Sequence, residues 1–301
     1  MGNVANKLKK IFYIFALCIS IFETGFGQGG WARQQGSYFT KLDFTTFSSN
    51  DYRTPSGIAL ETSKFNQKAI NFYGEYGVSD KLGLIVAMPL LRANAFETTN
   101  TMFGPGDLRI DVKYNPFRIR EYVFPLSFAV GAEIPTGRKN AFATAKDNPL
   151  ESINLPTGDG EFNFWATTAL SIPIGRKLYA SSFFAYNKRT TYDSKQFKDL
   201  YQVGFELGVN PFKNLWFNSK LRSQFTTGDS QFPELGFVRG DATSFTVISG
   251  ELFYRFTDKW GVSVTYFSGN DWLGKAKNLY LGSYFSVGVT YEIPYDFEKN
   301  K

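Results

Sequence analysis

Segment after segment between residues 38 and 293 alternates apolar and polar positions with a period of two. The alternation is sharpest in Gly104-Pro105-Gly106-Asp107-Leu108-Arg109-Ile110-Asp111-Val112-Lys113-Tyr114, where the glycines lead into four apolar residues interleaved with four charged ones. A period of two places Leu108, Ile110, Val112 and Tyr114 on one face of a β-strand and the charges on the other. An amphipathic helix would need apolar residues at i, i+3 and i+4. The same pattern predicts strands over 38–47, 67–78, 82–91, 107–114, 124–134, 162–172, 177–188, 200–209, 215–226, 243–256, 260–267 and 279–293. Within 177–188 neither face stands out.

The connections between these twelve strands alternate between five short turns and six longer loops, among them 48–66, 92–106, 138–160 and 227–241. An even number of antiparallel strands of about ten residues, with turns at one end and loops at the other, is the pattern of an outer-membrane β-barrel. Such a strand, tilted, spans the hydrocarbon core, and closure removes edges that lipid cannot satisfy. The expectation is an all-β, antiparallel up-and-down transmembrane barrel over 37–294 with both termini on the periplasmic side. A soluble sandwich would alternate similarly, but it would not explain the asymmetry of the connections. Two turns repeat internally. Val78-Ser79-Asp80-Lys81-Leu82-Gly83-Leu84 resembles Phe256-Thr257-Asp258-Lys259-Trp260-Gly261-Val262, and Tyr114-Asn115-Pro116-Phe117-Arg118 resembles Val209-Asn210-Pro211-Phe212-Lys213. Asp, Asn and Pro at these places read as equivalent tight ends of the barrel.

Composition sharpens this picture. Aromatics make up 18% of the chain and gather near the strand ends. Tyr76, Tyr114, Phe124, Phe212, Trp216, Phe256, Trp260 and Tyr291 form one expected girdle. Phe47, Phe72, Phe162, Phe164, Tyr201, Phe225 and Tyr266 form the other. Lys7, Lys9 and Lys10, an apolar run from Ile11 to Phe22, and Gly25 and Gly27 read as a secretory signal peptide over 1–27, cleaved after Gly27. A short segment, 28–36, then precedes the first strand, and a polar tail, 295–301, follows the last.

The formal charge is +6, with basic and acidic residues interspersed, so no nucleic-acid footprint is read. The chain has no histidine, and its single cysteine, Cys18, falls in the leader. Histidine-based catalysis, imidazole or thiolate metal sites and disulfides are thereby excluded. No catalytic residue, metal ligand or cofactor is expected, and the chain does not read as an enzyme.

If the apolar face meets lipid, the charged face meets the lumen. The inward candidates are Lys41, Asp43, Glu75, Arg109, Asp111, Lys113, Glu133, Glu206, Lys220, Arg222, Glu251, Arg255 and Glu292, six basic and seven acidic. They would either line a water-filled passage or pair into a filled interior. Strong ion selectivity needs a ring of one sign, which this balance does not provide. The two functions that follow are passive passage of small solutes, or a closed structural or surface-binding barrel that acts through its loops. The expected partners are outer-membrane lipid and lipopolysaccharide, the barrel assembly machinery and a small solute, with the barrel a monomer.

The stretch 104–114 also resembles the G-x-G-D-[LIV]-x-[LIV]-x-x-[KR]-Y strand of the outer-membrane barrels named for the meta-pathway of phenol degradation. Ala132-Glu133-Ile134-Pro135-Thr136-Gly137 is similar to that family's P-T-G strand end. The resemblance implies a transporter-like barrel for small hydrophobic or aromatic compounds. Fatty-acid transporter barrels, related in function, carry an N-terminal plug; residues 28–36 are too few for a plug domain. The last strand is followed by Asp296 to Lys301 rather than ending on an aromatic, so the assembly signal is expected within 291–295 or at Phe297.

Overall fold

The computed structural model describes residues 29–119, 122–123, 125–192, 194–230 and 239–293. The leader 1–27, the tail 295–301, Phe124 and the middle of the 227–241 loop lie outside the described residues. Twelve strands form a single antiparallel sheet: β1 Tyr38–Arg53, β2 Ala59–Gly77, β3 Leu82–Phe96, β4 Leu108–Tyr114, β5 Leu126–Ile134, β6 Asn163–Ile174, β7 Leu178–Arg189, β8 Leu200–Phe212, β9 Leu215–Thr226, β10 Phe245–Arg255, β11 Trp260–Asn270 and β12 Ser283–Ile293. Each pairs with the next in sequence, and β1 pairs with β12 from Tyr38↔Ile293 to Phe47↔Tyr284. The sheet is thus a closed twelve-stranded up-and-down barrel. Among the described residues no helix is long and apolar enough to cross a membrane.

The pairing register converts sequence parity into two surfaces. Val112↔Val130 and Phe128↔Tyr114 point outward, with Val130 64% exposed. Asp111, Lys113 and Ser127 on the opposite parity are buried. An apolar residue on this outside gains nothing from an ordinary core; it is at home against hydrocarbon. In β7, where the sequence was silent, Tyr179, Ser181, Ala185, Asn187 and Arg189 are buried and Phe184 is exposed, so the odd-numbered side faces inward.

The paired turns share their hydrogen bonding. The Val78 and Ser79 amides donate to the Leu82 carbonyl, and the Phe256 and Thr257 amides to that of Trp260. In each, the hydroxyl of Ser79 or Thr257 accepts from two amides further on.

Several expectations change. Residues 48–66 are mostly strand, because β1 and β2 continue as a hairpin whose turn is 54–58. Glu61-Thr62-Ser63-Lys64 is polar on both sides, and Thr62 to Lys64 fall in a register shift between Ser49↔Phe65 and Asp51↔Glu61, so alternation vanishes although the hairpin resumes beyond. Residues 92–106 also belong largely to the sheet. The register shifts at Leu90, after which Arg92, Asn94 and Phe96 take the inward side, and Met102–Gly104 pairs back onto β3. A β-bulge of this kind reverses parity and hides the strand from a period-two reading. Residues 279–281 pair with β1 as a separate piece, distinct from β12. Two expected girdle residues face the lumen instead: Trp216 is 6% exposed and packs with Tyr179 and Phe253, and Phe47 packs against Phe65. Position near a strand end did not outweigh inward parity.

Replacing outward Val130 with arginine is expected to cost about 2–4 kcal/mol near the midplane, whereas Val130→Leu should be nearly neutral. Urea unfolding of the barrel in lipid vesicles measures both. The neighbouring inward Gly131 cannot serve as the mild counterpart. A Cβ there would sit 2.0 Å from Asp111 Oδ1 and 2.4 Å from the Ile110 carbonyl.

Candidate functional site

The lumen is the candidate site, and its charges are arranged in clusters. All thirteen sequence-derived candidates lie on the inward side of their strands. At the turn end, Glu75 and Glu292 hold Arg33, with Arg33 Nε 3.2 Å from Glu75 Oε2 and Nη1 bonded to Glu292 Oε1. Arg255 closes on the other Glu292 oxygen. Midway, Lys41 pairs with Glu251 at 3.2 Å and Lys220 with Glu206 at 3.2 Å. Asn218 joins the two pairs by donating to Glu251 and lying 3.1 Å from the Tyr179 hydroxyl, whose single hydrogen it shares with Glu206. Across β4–β6, Arg109 pairs with Asp111 at 2.8 Å and stacks 4.3 Å over Trp165, whose indole N–H donates to Glu133. Asp43 accepts from Asn71, Thr45 and Ser286. Lys113 is buried with no salt bridge among the described residues. Arg222 lies over the Phe245 ring at 5.6 Å. Buried charges demand partners, and the clusters supply them at most positions.

Arg33 belongs to no strand. Residues 29–37 form a strap that crosses the turn end of the barrel. On one side the Gly30 amide donates to Ser171 Oγ at 2.8 Å, and Asn115 Nδ2 donates to the Gly30 carbonyl. On the other, Gly36 and Ser37 bond the Gly77 backbone, and Arg33 lies between Glu75 and Glu292. Two glycines make the approach possible. A Cβ at Gly30 would come within 1.8 Å of the Pro125 carbonyl oxygen, and one at Gly77 within 1.8 Å of that of Gln34. The segment that was too short for a plug domain is long enough to bar the opening. With Arg33 the candidate set holds seven basic and seven acidic residues, and Arg92 and Arg189 face inward beside it.

The loop end is drawn together by a second buried arginine. Arg189, at the end of β7, is 2% exposed. It contacts Asp159 at 3.2 Å, bonds Glu161, and donates to the carbonyls of Arg239 and Gly240. Arg239 in turn donates to the carbonyls of Asp159 and Lys139 and stacks over Tyr192. Asp107 accepts from the Gly137 and Asp159 amides, and Asp241 accepts from the Lys198 amide. The 135–162 loop folds inward: Arg92 and Asn94, on the inner wall of β3, donate to the Thr157 and Pro156 carbonyls. Its small hairpin, Phe142–Thr144 with Ser152–Asn154, brings Ala143 and Leu155 against Phe65 and Phe96. None of this latch was found from the sequence. Its only trace is an Asp-Gly-Glu run at 159–161 between glycine and aromatics, too common a composition to single out.

Burial pushes Glu161 up to about 9, against the opposing pull of Arg189. Burial also pushes Asp159 up to about 7, again opposed by Arg189 and assisted by Glu133 and Asp107. Glu161 Oε2 is buried without a hydrogen-bond partner among the described residues, which disfavours the ionised form. Among the described residues no cluster of metal-ligating side chains is present.

No protein-family model matches this chain, and no curated protein matches it. Among solved structures, the chain is similar to an outer membrane channel from Pseudomonas putida F1, at 12% identity and a TM-score of 0.61, covering 90% of this chain and 100% of that one. It is also similar to the translocator domain of the autotransporter NalP from Neisseria meningitidis, at 9% identity and a TM-score of 0.52, covering 97% and 98%. Both likenesses are of fold.

The raised carboxyls give the latch a pH dependence. Each holds a proton that the unfolded chain has released, so its stabilisation is complete below the ordinary carboxylate pKa of about 4. It then fades as pH rises through about 7 and about 9. Rate-corrected amide hydrogen exchange over 137–161 should therefore show stronger protection at about pH 6 than at about pH 9.5. Glu161→Gln should remove the upper part of that dependence.

Proposed function

We propose that the chain is an outer-membrane channel for passive passage of small solutes, closed at its turn end by the residue 29–37 strap. The carrying observation is the strap itself. A barrel made only to be solid would fill its lumen with strand side chains. Here the turn-end opening is barred by a separate segment, tied by Arg33, by a few hydrogen bonds at its two ends and by two close glycine approaches. Such a bar can leave without breaking the pairing between strands. The fold shared with the Pseudomonas putida channel supports this reading, and the polar, charge-balanced lumen suits a passage without strong ion selectivity.

Several finer points belong to the same proposal. The 104–114 strand and the Pro135-Thr136-Gly137 end, similar to the meta-pathway phenol-degradation barrels, favour small hydrophobic or aromatic solutes. The N-terminal leader and the outward apolar belt favour the outer membrane, with lipid at the outward face, lipopolysaccharide at the loop-end rim and insertion by the barrel assembly machinery. On this reading the termini are periplasmic, the protein is a monomer and it catalyses no reaction. A closed barrel acting through its loops is the second reading; the Arg189 latch, which orders the loop end into one surface, favours it.

Planar-bilayer recording separates the two. The wild-type barrel is expected to conduct weakly. Gly30→Ala, which forces the strap off Pro125, and Arg33→Ser, which removes the ion-pair partner of Glu75 and leaves Glu292 to Arg255 alone, should each raise single-channel conductance several-fold. Absence of conductance in all three proteins would reject the channel.

A further inference from the structure

Most inward side chains of the turn half are buried, but a group nearer the loop end is not. Phe47, Arg222, Phe245, Phe267 and Tyr284 all lie on inward parity and all keep partial exposure. Inward residues that are still accessible border free space in the lumen. The rings form a continuous wall: Phe267 stacks on Tyr284 at 4.0 Å, Tyr284 reaches Phe47 at 6.5 Å, and Phe47 reaches Phe65 at 6.4 Å. Arg222 stands beside this wall, over Phe245 and within electrostatic reach of Tyr284.

Two of the candidate inward cations make no salt bridge among the described residues, Lys113 and Arg222, and of these Lys113 is buried while Arg222 keeps partial exposure. Lys41, Lys220, Arg109 and Arg255 each have a carboxylate partner. Arg222 makes no salt bridge or side-chain hydrogen bond among the described residues; its recorded contact is the face of Phe245. A guanidinium lying on a ring keeps its planar edge of N–H donors free, and that edge matches a carboxylate bidentately. The nearby acid, Asp43, takes hydrogen bonds from Asn71, Thr45 and Ser286 on Oδ1 and makes no salt bridge to Arg222 among the described residues. The site therefore offers an apolar aromatic wall and one guanidinium fork without a salt-bridge partner among the described residues.

We infer that Arg222 and the surrounding rings form a binding site for small aromatic carboxylates inside the lumen, the ring lying on the Phe267–Tyr284 wall and the carboxylate on Arg222. This rests on the channel reading for its purpose and narrows the solute class to anionic aromatics.

Equilibrium dialysis of purified barrel against radiolabelled benzoate, benzyl alcohol and benzylamine at neutral pH tests it, with a protein-free detergent blank. Benzoate should bind most tightly, and its binding should weaken with added salt. Arg222→Gln should lower benzoate affinity about tenfold, the worth of one charge-assisted contact, while changing benzyl alcohol little. Arg222→Lys should restore part of the loss. Phe245→Leu should weaken both ring solutes. If Arg222→Gln fails to fold, judged by heat-modifiable migration, the wild-type preference and its salt dependence decide. Equal binding of benzoate and benzyl alcohol, or tighter binding of benzylamine, overturns the site. Because binding is read without flux, benzoate binding in a barrel that conducts nothing would reject the channel alone.

Discussion

Every backbone N–H and C=O that enters hydrocarbon must be paired within the protein, because lipid offers no substitute. That constraint organises this molecule. It requires β1 to meet β12, and the register from Tyr38↔Ile293 to Phe47↔Tyr284 does so. Once the sheet is closed, each strand has one side toward lipid and one toward a narrow lumen. The outward side takes Val112, Phe128 and Val130; the inward side takes whatever remains, which here is largely charged.

Closure then creates a second problem. Many charges face the lumen, and at the turn end Arg33, Glu75, Lys113 and Glu292 are each no more than 7% exposed. An unpaired buried charge costs several kcal/mol, and even a paired one recovers little beyond its desolvation. The clusters around Glu292, Glu251 and Asp111 therefore neutralise a cost more than they add stability. What they add is position. Glu292 can face Arg255 and Arg33 together only if the strap lies across the opening. The charge pattern of the wall thus contains the address of a segment that is not part of the wall.

The barrel was legible in the sequence because lipid exposure writes a two-residue period, and that period survives wherever one side is apolar. It failed where its cause was absent. The ends of β1 and β2 are polar on both sides and carry a register shift at 62–64, so the segment read as loop although pairing resumes at Asp51↔Glu61. At Leu90 a bulge reversed parity, and Asn94 and Phe96 moved to the inside unannounced. Trp216 and Phe47 were assigned from nearness to a strand end, yet each sits on inward parity. The thirteen inward charges were readable one by one, since each needs only its strand's face. Their partners were not. The meeting of Lys41 with Glu251, or Arg33 with Glu292, depends on which strands are neighbours in space, and on a non-strand segment that carries no periodicity.

The two ends of the lumen are closed by different physics, and this bears on how a solute would cross. The strap is held mainly by charge, hydrogen bonds and close backbone approach, with glycine at both contacts; its apolar contribution is small, chiefly Ala32 and the Phe39 ring under Arg33. The loop end combines a buried arginine and two reluctant carboxyls with an apolar patch, Ala143 and Leu155 against Phe65 and Phe96. Opening that end would wet Phe65 and Phe96 and release Asp159 and Glu161 from the burial that raises them. A molecule that itself carries an aromatic ring can take the place of the loop hairpin on those rings and repay the exposed surface. A small hydrophilic solute cannot. On the proposed channel reading, the loop end would discriminate by apolar contact and the strap by electrostatics, with Arg222 between them, where a solute that satisfied the first would meet an opposite charge before it reached the second.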